Sequence, residues 1–147
     1  MFCMVFWLCV TTEDNWRVVR ERLVWGVAER FKGAIQRVKP GDKLIFYVMQ
    51  TKKGDKVVPS RVVGVFEVVS EPYRDSTKIF KAYGTESTFP YRVRIKPVKI
   101  FDEPLLFKEL IPKLGFIRNK QRWSGYLRRA MFEIPEKDYK TILESAR

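Results

Sequence analysis

The sequence contains no histidine. The side chain most used as a general base near neutral pH and as a transition-metal ligand is therefore missing, which excludes histidine triads and histidine-bearing metal centres. Cysteine is almost as scarce, with two in 147 residues. Cys3 and Cys9 fall on what reads as one strand, roughly 20 Å apart at the usual rise and far beyond disulfide reach. Two thiols also fall short of a tetrahedral thiolate set, so both read as reduced core thiols and no metal or cofactor is expected. The eight glycines form no phosphate-cradling or dinucleotide loop. No apolar run approaches the roughly 20 residues of a membrane-spanning helix. The longest, Met1 to Val10, lacks a basic flank and runs straight into Thr11-Thr12-Glu13-Asp14, which makes it a buried strand, not a signal. The expectation is a cytoplasmic protein with no membrane partner.

Acidic residues are the remaining deficit: 17 Asp and Glu stand against 29 Lys and Arg, a net charge of +12. A field of one dominant sign attracts polyanions, nucleic acid first among them. Hydrophobic residues make up 46% of the chain, enough for one core, and no repeat, linker or low-complexity tract divides residues 1–147, so a single domain is expected. Glu67, Glu71 and Asp75 surround a strand end and a turn, where carboxylates are mostly solvated or ion-paired, and a non-catalytic protein is the leading reading.

Periodicity predicts an α+β fold. Phe2 to Val10 is apolar on both strand faces, as a strand covered on each side requires. Asp14 is placed to cap a helix over Asn15 to Leu23. Val24-Trp25-Gly26-Val27 breaks the pattern, a short helix resumes over Phe31 to Val38, and Lys39-Pro40-Gly41-Asp42 is a strong turn. Lys43 to Gln50 and Arg61 to Glu71 read as an antiparallel pair. Phe89 to Val98 alternates Tyr91, Val93 and Ile95 with Arg92, Arg94 and Lys96, a strand with one buried face and one basic, solvent-facing ladder. Short helices are expected over Leu105 to Leu110 and Asn119 to Arg129, a closing strand over Met131 to Ile134 and a last helix over Pro135 to Ala146. A twisted, partly closed, mostly antiparallel β-barrel with peripheral helices accommodates these elements. Lys113, Arg118, Lys120, Arg122, Arg128 and Arg129 occur without an intervening acid and are interleaved with Phe116, Trp123 and Tyr126, a basic and aromatic pattern suited to nucleic-acid backbone contact.

Several segments in order resemble the EVE domain: Phe6-Trp7-Leu8, Asn15-Trp16, Val24-Trp25-Gly26-Val27, Lys39-Pro40-Gly41-Asp42 leading into Phe46-Tyr47, Val63-Gly64-Val65 with Val68, then Glu71-Pro72-Tyr73 with Asp75 and Phe80. The likeness thins toward the C-terminus, where Ala130 to Pro135 departs from the family's pattern. The resemblance implies a PUA-like fold, related to PUA, ASCH and YTH domains, and binding of RNA or DNA with a modified base, often a methylated one, flipped into an aromatic cage. Trp25 is then the best wall, with Gly26 letting a ligand approach the backbone and Val27 beside it, although a core plug at Trp25 is the competing reading. Thr11, Thr12 and Asn15 follow the first strand, where related domains place base-edge contacts; Asn15 serves equally as a helix cap. Phe80 or Tyr83 would supply a second wall, and Trp7 is either core or pocket floor. Arg92 and Arg94 would contact phosphates. Two alternatives stay open: a PUA-type RNA binder that flips no base, and an ASCH-like enzyme acting on RNA or nucleosides. A monomer is favoured.

Overall fold

A computed structural model describes residues 3–146. Phe2, the expected start of the first strand, lies with Met1 and Arg147 outside the described residues. Strand β1 is Phe6–Thr11. Thr12 then caps helix α1, Glu13–Arg22, its hydroxyl accepting the Asn15 N–H at 3.3 Å. The expected cap, Asp14, instead lies in the first turn with Glu13, where a carboxylate complements the helix dipole. Leu23, in the left-handed region at φ 55°, closes the helix through its N–H to the Val19 carbonyl and turns the chain into β2, Val24–Val27. The segment expected to be irregular is therefore a strand. Its four residues, all buried, gain a partner strand that local periodicity does not show.

A single 3-10 turn, Glu29–Phe31, precedes the short helix α2, Lys32–Ile35. Next come β3, Lys43–Val48, and a small hairpin, β4 Thr51–Lys53 and β5 Lys56–Val58, turning at Gly54 with φ 63°. The chain continues through β6, Arg61–Val68, and the two-residue β7, Tyr73–Arg74, to the long β8, Tyr91–Leu106. β8 runs past its expected end at Val98 because it pairs with β6 as far as Leu106, across two register shifts. Helix α3, Phe107–Leu110, strand β9, Met131–Ile134, and helix α4, Glu136–Ser145, complete the fold. Among the described residues no helix is long and apolar enough to cross a membrane.

The main sheet has the order β2-β8-β6-β3-β1-β9, with β7 also on β8. β1 and β3 are parallel, joined by the crossover that carries α1, β2 and α2, and the other pairs are antiparallel. Alternation along the central strands feeds two cores. Trp7, Cys9, Leu44, Phe46 and Phe66 join Trp16 and Trp25 on one face, while Phe6, Leu8, Ile45, Tyr47 and Val65 join Phe107, Leu114, Ile117 and Ile142 on the other. Of the two cysteines, Cys9 is buried and burial pushes its thiol pKa well up, but Cys3 is exposed, because it precedes the strand instead of lying in it.

The Lys39-Pro40-Gly41-Asp42 turn is tied to β1 by one carboxylate. Asp42 is fully buried and accepts the N–H groups of Val5 and Lys39, each at 3.0 Å, and the Trp7 indole N–H at 3.1 Å. An asparagine of the same shape would turn an amide donor toward one of those donors. Asp42→Asn is expected to cost about 1–3 kcal/mol, the scale of a buried donor left without a partner, read as a lower denaturation midpoint at unchanged slope.

Candidate nucleic-acid interface

Trp25 lies on β2 opposite Val93 of β8 and is 3% exposed. Its ring meets Phe46 edge-on, with centroids 5.4 Å apart. It is thus a core residue in the free protein, and yet its indole Nε1 finds no acceptor within the protein, the one such buried side-chain polar atom among the described residues. Trp7 presents the contrast. It is fully enclosed near the start of β1, donates to Asp42 and has the Arg37 guanidinium over its ring, so it does not floor a pocket at the far end of that strand.

Gly26 faces away from Trp25, as strand alternation requires. A Cβ there would stand 2.7 Å from the Phe89 carbonyl oxygen and 2.9 Å from the Phe80 ring. The missing side chain therefore admits the chain's own segment between β7 and β8. Phe80 covers Gly26 and does not stand across from Trp25. Val27 is buried.

Arg92 organises that covering segment. Its side chain leaves β8 on the face expected to be solvent-facing, but the segment folds over it and leaves it 1% exposed. The guanidinium donates to the carbonyls of Phe89 at 3.0 Å, Thr88 at 2.9 Å and Thr77, and lies 3.5 Å from Asp75. Burial lowers its pKa, the Asp75 carboxylate opposing the shift. Phe89, held in the left-handed region at φ 51°, is fixed by the Arg92 bond to its carbonyl. Arg92 is thus unavailable to a phosphate. Lys96 faces Glu67 at 3.5 Å, and of the expected basic ladder only Arg94 is exposed and outside any ion pair among the described residues.

Asn15 neither caps α1 nor presents a free amide. Its Nδ2 donates to the Lys81 carbonyl at 2.8 Å and its Oδ1 accepts the Lys81 N–H at 2.7 Å, clamping the covering segment to the helix. Beside it, the exposed Tyr83 donates its hydroxyl to Asp14, and the Lys81 ammonium lies 5.2 Å from the Tyr83 ring. The Tyr83 bond, aided by Lys81, holds the Asp14 carboxyl below its usual range; Tyr83 and then Asp14 raise the Lys81 pKa. Thr11 is buried. The structure thus brings Asn15, Gly26, Phe80 and Tyr83 together around one segment, while the Thr12 hydroxyl is spent on the helix cap. Neither the Asp14–Tyr83–Lys81 trio nor the buried role of Arg92 is legible in the sequence, where Arg92 has the same alternation as Arg94 and Lys96.

The expected helix over 119–129 is a kinked 3-10 run, Lys120–Leu127, broken at Arg122. On both sides of that break Lys120, Trp123 and Tyr126 make contacts back to the protein. Lys120 donates to the Leu114 carbonyl, Trp123 packs 5.5 Å from Phe107, and the Tyr126 hydroxyl accepts the Asn119 N–H. The interleaved aromatics thus pack against the second core and are not free stacking surfaces. Lys113, Arg118, Arg122, Arg128 and Arg129 are exposed, and none is ion-paired among the described residues. This ridge lies over the core layer on the other side of the central strands from Trp25.

The family model described as EVE domain matches residues 5–145. This chain belongs to the EVE domain family. A UPF0310 protein of Pyrococcus abyssi is 56% identical over 140 residues, 95% of this chain and 97% of that one. Among solved structures, a hypothetical protein from Leishmania major aligns with a TM-score of 0.68 at 21% identity, covering 97% of this chain and 94% of that one. Human THYN1 protein, solved in complex with 5-methylcytosine-containing DNA, aligns at 0.62 and 13% identity over 95% and 96%. The architecture of this EVE domain is accordingly PUA-like.

A cleft of about 480 Å³ opens between α2 and the β7–β8 pair, lined by Lys32, Gln36, Tyr73, Arg74 and Tyr91, with Ile35 at its base. Tyr91 sits in register between Val27 on one side and Arg74 on the other.

Proposed function

We propose that this EVE domain is a non-catalytic nucleic-acid-binding module that takes one modified base against Trp25. The observation that carries the reading is the buried Trp25 indole N–H without an acceptor. Such a donor costs about 1–3 kcal/mol while it is unpaired, and native structures rarely tolerate one without a reason. An acceptor on a base edge would satisfy it, while the flanking apolar walls would suit a methyl group and replace the stacking lost on flipping. The DNA-bound THYN1 structure shares the fold and supports the ligand class.

Because Trp25 is enclosed in the free protein, entry of a base requires local opening. The cation ridge would hold phosphates farther along the bound chain. A binder that reads no base is less favoured, since Arg92 is buried and Lys96 paired.

Affinities for short single- and double-stranded DNA and RNA, each with one methylated base and each against its plain twin, test the reading. One methylated oligonucleotide is expected to bind about ten-fold or more above its twin, a difference of about 1.4 kcal/mol. Equal affinity across every pair would contradict base capture and leave only charge.

A further inference from the structure

If a base is captured beside Trp25, the phosphates adjoining it cannot be held by the ridge, which lies over the opposite core layer. They need cations on the Trp25 side. The cleft between α2 and the β7–β8 pair is on that side: Ile35 belongs to the same core as Trp25, and Tyr73 and Tyr91 pack against it. Register places it next to Trp25. Tyr91 pairs with Val27, two residues along β2 and therefore on the same face as Trp25 and about 7 Å away along the strand.

Its lining has the composition of a nucleotide seat. The Lys32 ammonium stands 5.3 Å from the centroid of the Tyr91 ring. Arg74 lies across the ladder from Tyr91, and neither Lys32 nor Arg74 is ion-paired among the described residues. The Glu29 carboxylate accepts the Tyr91 hydroxyl. The exposed Gln36 amide offers both a donor and an acceptor. A second cleft, between α3 and α4, sets Glu109 and Glu144 beside Lys113 and is less suited to a phosphate.

We infer that this cleft seats the nucleotide flanking the captured one, with its phosphate between Lys32 and Arg74, its base on Tyr91 and Gln36 at the base edge. The inference rests on the base-capture reading and extends it to a second position.

The test uses short DNA, single-stranded and duplex, with a central 5-methylcytosine and a 5-iododeoxyuridine on each side, bound to the wild-type chain and to the Lys32→Gln, Arg74→Gln double variant. The variant is expected to bind about ten-fold more weakly at low salt, with the salt slope reduced by about two, one for each lost phosphate contact. Ultraviolet irradiation of the wild-type complex is expected to cross-link a flanking iodouracil to Tyr91 or Tyr73. A wild type that binds while the variant binds equally well and the cross-links fall elsewhere overturns the flanking seat and leaves nucleic-acid binding intact. A wild type that binds neither form, nor any of the methylated DNA and RNA oligonucleotides that test the functional reading, overturns that reading and the seat together.

Discussion

Trp25→Ala is expected to lower folding stability by about 3–5 kcal/mol, because the ring fills the core against Phe46 and its loss opens a large cavity. That result alone describes any buried tryptophan, so the informative partner is Trp25→Phe. It keeps an aromatic ring in the core and removes the unpaired N–H. The relief of that donor, about 1–3 kcal/mol, is close to the burial lost with the smaller ring, and stability should hardly change. Trp7→Phe makes the same change of volume but breaks a bond to Asp42, so it should be the more destabilising by about 2 kcal/mol or more. Chemical denaturation of the three variants checks this. Trp25→Phe should also abolish the preference for a methylated over a plain oligonucleotide, since the donor is gone while the charge remains. A Trp25→Phe protein as destabilised as Trp7→Phe would mean that the N–H is satisfied in the native state.

Affinity for nucleic acid is expected to fall about a thousand-fold between roughly 50 and 200 mM salt, as release of counterions from about six neutralised phosphates requires. Part of that slope is assigned to the ridge. Neutralising Arg118, Arg122 and Arg128 together should reduce the slope by up to about three and weaken methylated and plain oligonucleotides alike. These side chains are exposed and outside the second core, so the fold should be unaffected. Lys120 is left in place because it holds the Leu114 carbonyl. If the triple variant binds with an unchanged slope, the ridge is a solvated face.

The fold was largely legible because its signals are local. Phe6 to Thr11 carries apolar residues on both faces and is indeed central, with a core on each side. Lys39-Pro40-Gly41-Asp42 announces the turn, although not that Asp42 goes on to hold Trp7. What sequence could not show was long-range. Val24–Val27 has too few residues for a period and becomes a strand only through Tyr91 to Arg94. Arg92 reads as exposed by alternation, and only the fold of residues fifteen and fewer positions upstream buries it. The cations of the basic run are exposed as the pattern suggests, whereas its interleaved aromatics pack against the second core, a long-range contact that the pattern does not show. Trp25, read as either wall or plug, is a plug in the free protein with a donor left over.

The measurement closest to the central claim is the indole N–H resonance of Trp25 in nitrogen-15-labelled protein, identified among the four tryptophans by its loss in Trp25→Phe. Without ligand it should lack the signature of a hydrogen bond, while the Trp7 resonance shows one to Asp42. On saturation with the preferred methylated oligonucleotide, the Trp25 resonance should move downfield and its exchange with solvent should slow, and the plain twin at equal occupancy should leave it in place. A methylated oligonucleotide that binds preferentially while the Trp25 N–H stays unmoved would contradict capture of the base at this residue.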